Sequence, residues 1–409
     1  MPDKRNVLFM KVIHTADWHI GQIFYDYSRQ EEHAYFLEWL IGFITDEKID
    51  LLLISGDVYD GPNPSAEAQK LFYSFLREVT YKNQQLKIII TAGNHDSASR
   101  IEAPNPLLQE MNVTVRGVVK RNSEGDIDLD NLIEPIYNDG NIAAYCLAVP
   151  YLRQGDYPHS ESYSDGVQQL YHLLYNRVKD KGIPVIAMGH LQATGSELSE
   201  NDRSERAIIG GIEGISPDAF DSGIIYTALG HLHRAQKVSG RDNVRYSGSP
   251  LPMTFAEKNN KHKVVMINIE EENVSIDNID IPLYTSLLSI PSQPSRIDSI
   301  LEEINKLPIG EVNNHSPYLE IKILIDGPDT SFKFRIEEAL KDKSVRLAKI
   351  SPFYPQRGES KITALTFEQL QEIDPLDVAN DYYRRNYGDS DMPQMMQEFI
   401  KEAIEEVKS

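Results

Sequence analysis

The sequence predicts a layered α/β fold, followed by a small α+β unit and a helical tail. Up to about residue 280, short apolar runs rich in β-branched residues alternate with amphipathic helical patterns, which is typical of layered α/β domains. Beyond that region, proline-containing breaks separate two shorter segments. At 409 residues the chain exceeds the usual size of a single core, so two or three domains are expected.

The composition indicates a globular protein of a reducing compartment. Hydrophobic residues make up 41% of the chain and charged residues 25%. Cys146 is the only cysteine, which excludes an internal disulfide, and its apolar surroundings predict a buried strand residue. No apolar run reaches about 18 residues and the start lacks a secretion-signal pattern, so no membrane span and a cytoplasmic location are expected.

The net charge of −21 argues against an extended nucleic-acid-binding surface, which would need clustered Lys and Arg. Metal-binding carboxylates add to the acidic count, however, and bound cations dominate the local field of a metal site. Any contact with nucleic acid is therefore expected to be local or shared with a partner.

Five apolar runs each end in a short polar signature. The runs are Val12-Ile13, 51–54, 88–90, 185–188 and 224–226. The signatures are Asp17-Trp18-His19, Gly56-Asp57-Val58-Tyr59-Asp60, Gly93-Asn94-His95-Asp96, Gly189-His190 and Gly230-His231-Leu232-His233. Because ligands collect at the carboxyl ends of strands in α/β sheets, the five ends are predicted to converge on one site.

The residue types in these signatures are those that bind hard and borderline divalent ions. Two such ions about 3.5–4 Å apart can activate a water and hold a phosphate for in-line attack. Asp57 follows the strongest central strand and is the predicted bridging carboxylate. Asp17 and His19 are predicted to hold one ion, and Asn94 and His190 the second.

The two remaining histidine positions have distinct predicted roles. His231 and His233 share a face of an extended segment and can address neighbouring ions. His95 is predicted to act on the substrate, either by stabilising phosphate charge or by donating a proton to the leaving oxygen.

A helix is predicted after Asn63-Pro64-Ser65, which resembles a helix cap. Its wide apolar face includes Phe72, Phe75 and Leu76. Two interpretations are open: packing on its own sheet, or a homodimer interface.

The predicted domain order has six parts. They are an extension at 1–9 with Met10 as an alternative start, a domain at 10–281 that contains the predicted two-metal phosphoesterase site, a linker at 282–296, a small α+β domain at 297–351, a linker at 352–365 and a helical tail at 366–409. The final helix of the tail has an apolar stripe predicted to dock on a partner, with docking on its own chain as the alternative. That stripe consists of Met396, Phe399, Ile400, Ala403, Ile404 and Val407.

The ordered set of signatures resembles the calcineurin-like metallophosphoesterase superfamily. Further segments resemble one branch of it, the SbcD-type nuclease subunits that work with an SMC-like ATPase. These segments are 149–153, 189–191, 195–197, 204–206 and 246–250.

The resemblance implies a layered β-sandwich metallophosphoesterase core flanked by helices, with a small capping domain over the active-site cleft. It implies one Mn²⁺ held by Asp17, His19, Asp57 and His233, and another held by Asp57, Asn94, His190 and His231. Mg²⁺ would be a weaker substitute. His95 would be the catalytic histidine, with Asp60 and Asp96 orienting ligands.

The function implied is an ATP-dependent DNA nuclease, with 3′–5′ exonuclease action on double strands and endonuclease action on single strands and hairpins. It would serve DNA repair, recombination and replication, as a homodimer that forms a heterotetramer with an SbcC-type ATPase bound through the tail. A small-molecule or protein phosphoesterase is the alternative, although the small α+β domain and helical tail after the last histidine pair exceed what such an enzyme needs. A scaffold without chemistry is disfavoured by the complete ligand set.

Overall fold

The computed structural model describes residues 9–138, 140–197, 214–270, 273–325, 331–354 and 392–408, with isolated positions at 376, 379, 380 and 383. The strands are β1 Phe9–Thr15, β2 Ile23–Phe24, β3 Tyr27–Ser28, β4 Leu51–Ser55, β5 Lys87–Thr91, β6 Val113–Arg116, β7 Ile133–Asn138, β8 Asn141–Ala148, β9 Val185–His190, β10 Ile224–Gly230, β11 Gln236–Val238, β12 Arg241–Tyr246, β13 Lys263–Glu270, β14 Asn273–Asp280, β15 Leu287–Ser295, β16 Tyr318–Leu324 and β17 Arg346–Phe353. The helices are α1 Gln30–Glu47, α2 Ala66–Lys82, α3 Ala98–Glu102, α4 Asn105–Leu108, α5 Tyr163–Val178, α6 Ile297–Asn305, α7 Phe332–Leu340 and α8 Gln394–Lys408.

Two six-stranded sheets form the core of the first part of the chain. One has the order β14-β13-β1-β4-β5-β6, and the other has the order β11-β12-β10-β9-β8-β7. The strands that precede the polar signatures, β1, β4 and β5 in one sheet and β9 and β10 in the other, run parallel to their neighbours within this group. Their carboxyl ends therefore lie at one edge of each sheet.

Three apolar layers hold this core together. The inner faces of the two sheets share a buried cluster that includes Val12, Leu53, Met188 and Tyr226. A second cluster packs α1 and α2 on the first sheet, and a third packs α5 on the second. The layer order of helices, sheet, sheet and helix confirms the predicted layered α/β sandwich.

Helix α2 starts where the sequence predicts it. Ser65 is the N-cap, and its hydroxyl oxygen accepts a hydrogen bond from Ala68 N at 3.1 Å. The predicted strand around Cys146 is β8, and this thiol is fully buried. Both predictions follow from local sequence, because capping residues and apolar runs act within one element.

The prediction of a dimer interface at Phe72, Phe75 and Leu76 is corrected by the structure. These side chains are 1%, 3% and 0% exposed within the single chain. Trp18 contacts both phenylalanine rings edge-on, at centroid distances of 6.2 Å for Phe72 and 5.3 Å for Phe75. These side chains therefore belong to the core between α2 and its own sheet, where they form an apolar pocket for the Trp18 indole. Because they are buried within one chain, they are not available to a second copy.

A small unit follows the sandwich, and its first part was predicted as linker. β15, β16 and β17 form a parallel three-stranded sheet whose apolar face is covered by α6 and α7. β15 occupies 287–295, inside the predicted linker 282–296. The misassignment has a physical cause: Pro291 and Pro294 suggest a break, but proline is tolerated in an edge strand because that strand need not donate every backbone N–H.

The last part of the chain, from Tyr354, forms a unit of its own. The helix expected after Pro393 is α8, in which Met396 and Phe399 are 48% and 62% exposed and Ile400 is partly buried. The side chains of Ala403, Ile404 and Val407 lie outside the described residues, as do positions 1–8, the motif at 204–206 and the segment 355–375. Within the described residues, no helix is both long and apolar enough to cross a bilayer.

Candidate metal centre

The five signatures meet where the two sheets pack together. Ligand atoms of Asp17, His19 and His233 lie within 4.8 Å of one another, and so do ligand atoms of Asp17, Asp57 and His190. All five side chains are buried. The first sheet supplies the carboxylates and His19, and the second sheet supplies His190 and His233, so the centre exists only when the two sheets pack in this register.

Asp57 belongs to the second of these groups and also approaches the first, while Asp17 is a member of both. Asp57 Oδ2 is 3.8 Å from His19 Nε2 and 3.1 Å from His190 Nε2. Its Oδ1 accepts a hydrogen bond from His95 N at 2.8 Å. One carboxylate therefore faces a histidine of each group, which is the position that a bridging ligand needs.

Asn94 brings a neutral oxygen to the second group. Its Oδ1 lies 2.9 Å from His190 Nε2 and 3.0 Å from His231 Nδ1. His231 N in turn donates to Asp17 Oδ1 at 2.9 Å, which ties the second sheet's loop to the first sheet's ligand. An amide oxygen between two imidazoles, beside a carboxylate, is a donor set suited to a divalent metal ion.

Hydrogen bonds orient the imidazole rings. His190 Nδ1 is 2.8 Å from Ser55 O, and because a carbonyl can only accept, Nδ1 donates to it and Nε2 is the nitrogen that an ion would bind after displacing its proton. His19 Nδ1 is 3.3 Å from Asp60 Oδ1, which assigns Nε2 as its ligand atom as well. A carbonyl or carboxylate behind a histidine is the usual support of a metal ligand.

The backbone at the site adopts conformations that side chains disfavour. Asp17, His19, Asp57 and His231 have φ values of 54°, 47°, 48° and 102°. Non-glycine residues in this region carry strain, and such residues cluster at functional sites where the surrounding structure holds them. The neighbouring Gly93 is also required, because a Cβ there would clash with Oδ1 and the backbone nitrogen of Asp57.

Asp96 joins two of the strained loops. Its buried carboxylate accepts from Val58 N at 3.2 Å, Tyr59 N at 3.0 Å and Gly93 N at 2.9 Å. Three backbone donors hold the loop after β4 against the loop after β5. Asp96 therefore acts on loop geometry, while Asp60 acts on the ring of His19.

Without a bound cation, the buried carboxyl and imidazole groups of this centre hold protons at positions where a cation would bind. Burial raises the pKa of the Asp17 carboxyl to about 7, against the opposing charges of His190 and His233. Burial also pushes the pKa of Asp57 upward, but His190 and His19 outweigh it and hold this pKa well below its usual range. Burial lowers the pKa of His190, yet the charge of Asp57 prevails and raises it to about 9. A bound cation must therefore displace protons from this centre.

Two buried atoms indicate that the residues fit a metal. Asp17 Oδ2 and His19 Nε2 are buried and have no hydrogen-bond partner among the described residues. Buried polar atoms are ordinarily satisfied, so an unmatched carboxylate oxygen and an unmatched ring nitrogen in one cluster call for a cation. The donor set and these two atoms agree with a dinuclear divalent site.

His95 lies at the entrance of this cluster. Its ring is half-buried and packs edge-on against His19 with centroids 4.8 Å apart. Its Nδ1 is 3.0 Å from the carbonyl oxygen of Asp60, so Nδ1 donates and Nε2 is the other proton-carrying position. The ring of His95 thus lies directly beside the ligand cluster, held by the backbone of Asp60.

The structure brings together every predicted ligand and support, and it adds groups that side-chain patterns do not show. Ser55 contributes only its carbonyl oxygen, and His33 contacts the carbonyl of Trp18 inside the first signature. Backbone acceptors leave no trace in sequence, because every residue has one. His33 gave no signal because it lies in a helix whose pattern resembles ordinary core packing.

The comparisons with known proteins agree with this geometry. The profile of the calcineurin-like phosphoesterases matches residues 10–235, and the profile described as the type 5 capsule protein repressor C-terminal domain (SbcD_C) matches residues 284–387.

Three curated relatives are named as the SbcD subunit of the SbcCD nuclease. The protein from Rhodobacter capsulatus is 36% identical over 361 residues, which cover 85% of this chain and 88% of the relative. The Escherichia coli K12 protein is 28% identical over 387 residues, covering 91% and 92%. The Bacillus subtilis protein is 29% identical over 277 residues, covering 63% and 66%. With its ligands placed as described, the chain belongs to the calcineurin-like phosphoesterases and, within them, to the SbcD family of nuclease subunits.

Proposed function

We propose that this chain is the nuclease subunit of an SbcCD-type complex and hydrolyses DNA phosphodiesters at a two-metal centre. The observation that carries the proposal is Asp57, whose carboxylate faces both buried ligand groups. The finer activity we propose is a Mn²⁺-dependent 3′–5′ exonuclease on double strands and an endonuclease on single strands and hairpins. An SbcC-type SMC-like ATPase would make cleavage ATP-dependent, in DNA repair, recombination and replication in the cytoplasm.

We propose the ligand assignment that the family resemblance implies. Asp17, His19, Asp57 and His233 would hold one Mn²⁺, and Asp57, Asn94, His190 and His231 the other. When bound, the ions supply Lewis-acid polarisation of the phosphate and a water of lowered pKa. Imidazole nitrogens favour Mn²⁺ over Mg²⁺, which prefers oxygen ligands and water.

In this proposal the side chains orient the metal ligands and supply a proton to the substrate. His19 and His190 keep their Nε2 lone pairs in place because their Nδ1 protons are held by Asp60 and Ser55. His95 has the same arrangement at Nδ1, so a protonated ring donates from Nε2. That proton would go to the oxygen that leaves when the phosphodiester breaks, or would stabilise charge on the phosphate.

The negative net charge of the chain supports the proposal that DNA is bound jointly by this subunit and its partner. With a net charge of −21, this subunit has little capacity to bind phosphate backbones by itself. We propose that the cap sheet β15–β17 selects DNA near the cleft and that the ATPase partner contributes further contacts. The proposed homodimer and heterotetramer need a surface other than Phe72, Phe75 and Leu76.

The metal requirement can be tested directly. We expect EDTA to abolish hydrolysis and Mn²⁺ to restore it more fully than Mg²⁺, because four of the seven proposed ligands are histidines. Hydrolysis rates are measured on linear double-stranded DNA with the partner and ATP, and on bis-p-nitrophenyl phosphate. Full activity in chelator would contradict the two-metal centre. Cleavage of the small ester alone, with DNA untouched, would favour the alternative of a small-molecule phosphoesterase.

Partner binding through the tail can be tested on α8. We expect Phe399→Asp to reduce co-purification with the ATPase at least tenfold, because a charge would enter an apolar docking face. Phe334→Asp on α7 is the matched control, since its side chain is similarly exposed, 69% against 62%, and lies outside the tail. Both variants should hydrolyse the small ester at the parental rate. Undiminished recovery of Phe399→Asp with the partner would show that this face is not the attachment site.

A further inference from the structure

A buried ion pair connects the cap sheet to the first turn of α1. Tyr318, the first residue of β16, donates from Oη to Glu32 Oε1 at 2.7 Å. Arg29 donates to the same carboxylate from Nη2 at 2.7 Å and from Nε at 3.2 Å. The three side chains are 0–3% exposed, so solvent screening is weak and these contacts are strongly directional.

The surroundings make Glu32 depend on these partners. Arg29 Nη1 is occupied by Pro252 O at 2.5 Å and Gln22 Oε1 at 3.0 Å. Aromatic rings enclose the pair, with Phe24 and Phe255 packed against Tyr318 and the Arg346 guanidinium 3.8 Å above the Tyr318 ring. A buried carboxylate that loses one donor is left with part of its desolvation cost uncompensated.

The same helical turn reaches the metal centre on its other side. His33 Nε2 lies 2.8 Å from Trp18 O, and His33 Nδ1 lies 3.0 Å from Arg29 O. A neutral ring has one proton for these two carbonyls, and we assign it to Nε2, where the contact with Trp18 O is the shorter of the two. Burial, followed by the charge of Arg29, lowers the pKa of His33 to about 4, which keeps the ring neutral and the single proton in that place.

Trp18 is the residue between two proposed ligands of one ion. Asp17 and His19 on either side of it have left-handed φ values of 54° and 47°. Strained loops persist only when several contacts hold them. Here Asp17 N and His19 N donate to Gly56 O and Asp57 O at 3.0 Å each, and His33 holds the carbonyl between them.

We infer that Tyr318, Glu32, Arg29 and His33 form a relay that couples the position of the cap to the ion held by Asp17, His19 and His233. The inference rests on the proposed metal centre and adds a positioning role for residues that touch neither ion nor substrate. Arg29, Glu32 and His33 all lie at the start of α1, so a shift of the cap that moves Glu32 also moves His33 and the Trp18 carbonyl. Metal affinity and cap order therefore influence each other, as linkage requires.

The test uses two tyrosine-to-phenylalanine variants of the full-length chain. Tyr318→Phe keeps the ring but removes the hydroxyl that reaches Glu32. Tyr27→Phe is the matched control, because Tyr27 Oη also bonds the cap, at Leu347 O over 3.3 Å, without joining the relay. Mn²⁺ affinity and stoichiometry are measured by titration calorimetry, and backbone hydrogen exchange of β16 is measured with and without Mn²⁺.

We expect Tyr318→Phe to lower the Mn²⁺ affinity of one of the two sites by about fivefold or more. A fivefold change in affinity is about the smallest effect usually seen between coupled sites. Tyr27→Phe should stay within about twofold of the parent in the same titration, below that range. In the parent and in Tyr27→Phe, Mn²⁺ should slow exchange in β16, and Tyr318→Phe should lose this response. A merely structural tyrosine would not produce that loss.

Two results overturn the relay. Equal affinities for all three proteins would show that the cap contact does not reach the ligand loop, and equal weakening in both variants would show only that cap contacts are generally needed. A parent chain that binds no Mn²⁺ at all is a different failure, because it removes the metal centre and the inference with it.

Discussion

Asp57→Asn is expected to lose both ions and with them all measurable hydrolysis. Asp57 Oδ2 faces a histidine of each ligand group, at 3.8 Å for His19 and 3.1 Å for His190, so its loss would remove a negative charge from the proposed position of both ions. The asparagine keeps an oxygen that can accept from His95 N, which limits the change to the carboxylate charge. Metal content measured by mass spectrometry should fall from two ions per chain to none.

Asp60→Asn is the matched control for this substitution. Asp60 is 41% exposed at its side chain and contacts the centre only through His19 Nδ1 and its own carbonyl. Loss of such a supporting residue typically costs about 10–100-fold in metal affinity or activity, so this variant should still bind two ions at raised Mn²⁺. Two ions retained by Asp57→Asn would show that Asp57 does not bridge the centre.

His95→Gln is expected to bind two ions and to turn over DNA about a hundredfold more slowly or worse. The side chain is not among the proposed ligands, and because its Nδ1 contacts Asp60 O, Nε2 is the nitrogen that we propose acts on the leaving oxygen. Glutamine keeps a donor of similar size but cannot transfer a proton. The measurement is kcat under saturating Mn²⁺, with metal stoichiometry determined in the same preparation.

The choice of substrate separates the two roles that His95 can have. Bis-p-nitrophenyl phosphate releases a phenolate that needs little protonation, whereas DNA releases an alkoxide that needs a proton. A general acid predicts a much larger loss on DNA than on the aryl ester, and a charge stabiliser predicts similar losses on both. His172→Gln, at an exposed position of α5, should match the parent in each assay. Parental turnover of His95→Gln on DNA would remove His95 from the mechanism.

The burial of Phe72 and Phe75 shows that an apolar helical pattern predicts which face is apolar but not what covers that face. Their spacing shows that one face of α2 is apolar, but the same pattern suits a core and a protein interface. The deciding partner is Trp18, which lies about fifty residues earlier and reaches α2 only because β1 and β4 pair in parallel. A contact between elements distant in sequence is not encoded in either element alone.

The strand β15 was missed for a related reason. Prolines at 291 and 294 lower the local preference for a strand, but they fall at a shift in register, and the pairs on either side of it, Leu287 to Ile290 and Ser295, join β15 to β16. Local propensity is a weak guide where tertiary pairing supplies the stabilisation.

The strand-and-helix order of the sandwich, the start of α2 at Ser65 and the choice of proposed ligands could all be predicted from the amino-acid sequence. Each of these depends on residues close together in the chain, or on side-chain chemistry that is the same wherever the residue lies. Which atoms meet could be seen only in the folded chain: the carbonyls of Ser55 and Trp18, the left-handed backbone at Asp17 and His19, and the path from Tyr318 to His33. These depend on the packing of two sheets and a cap against one another, and backbone groups, being common to every residue, acquire specific roles only there.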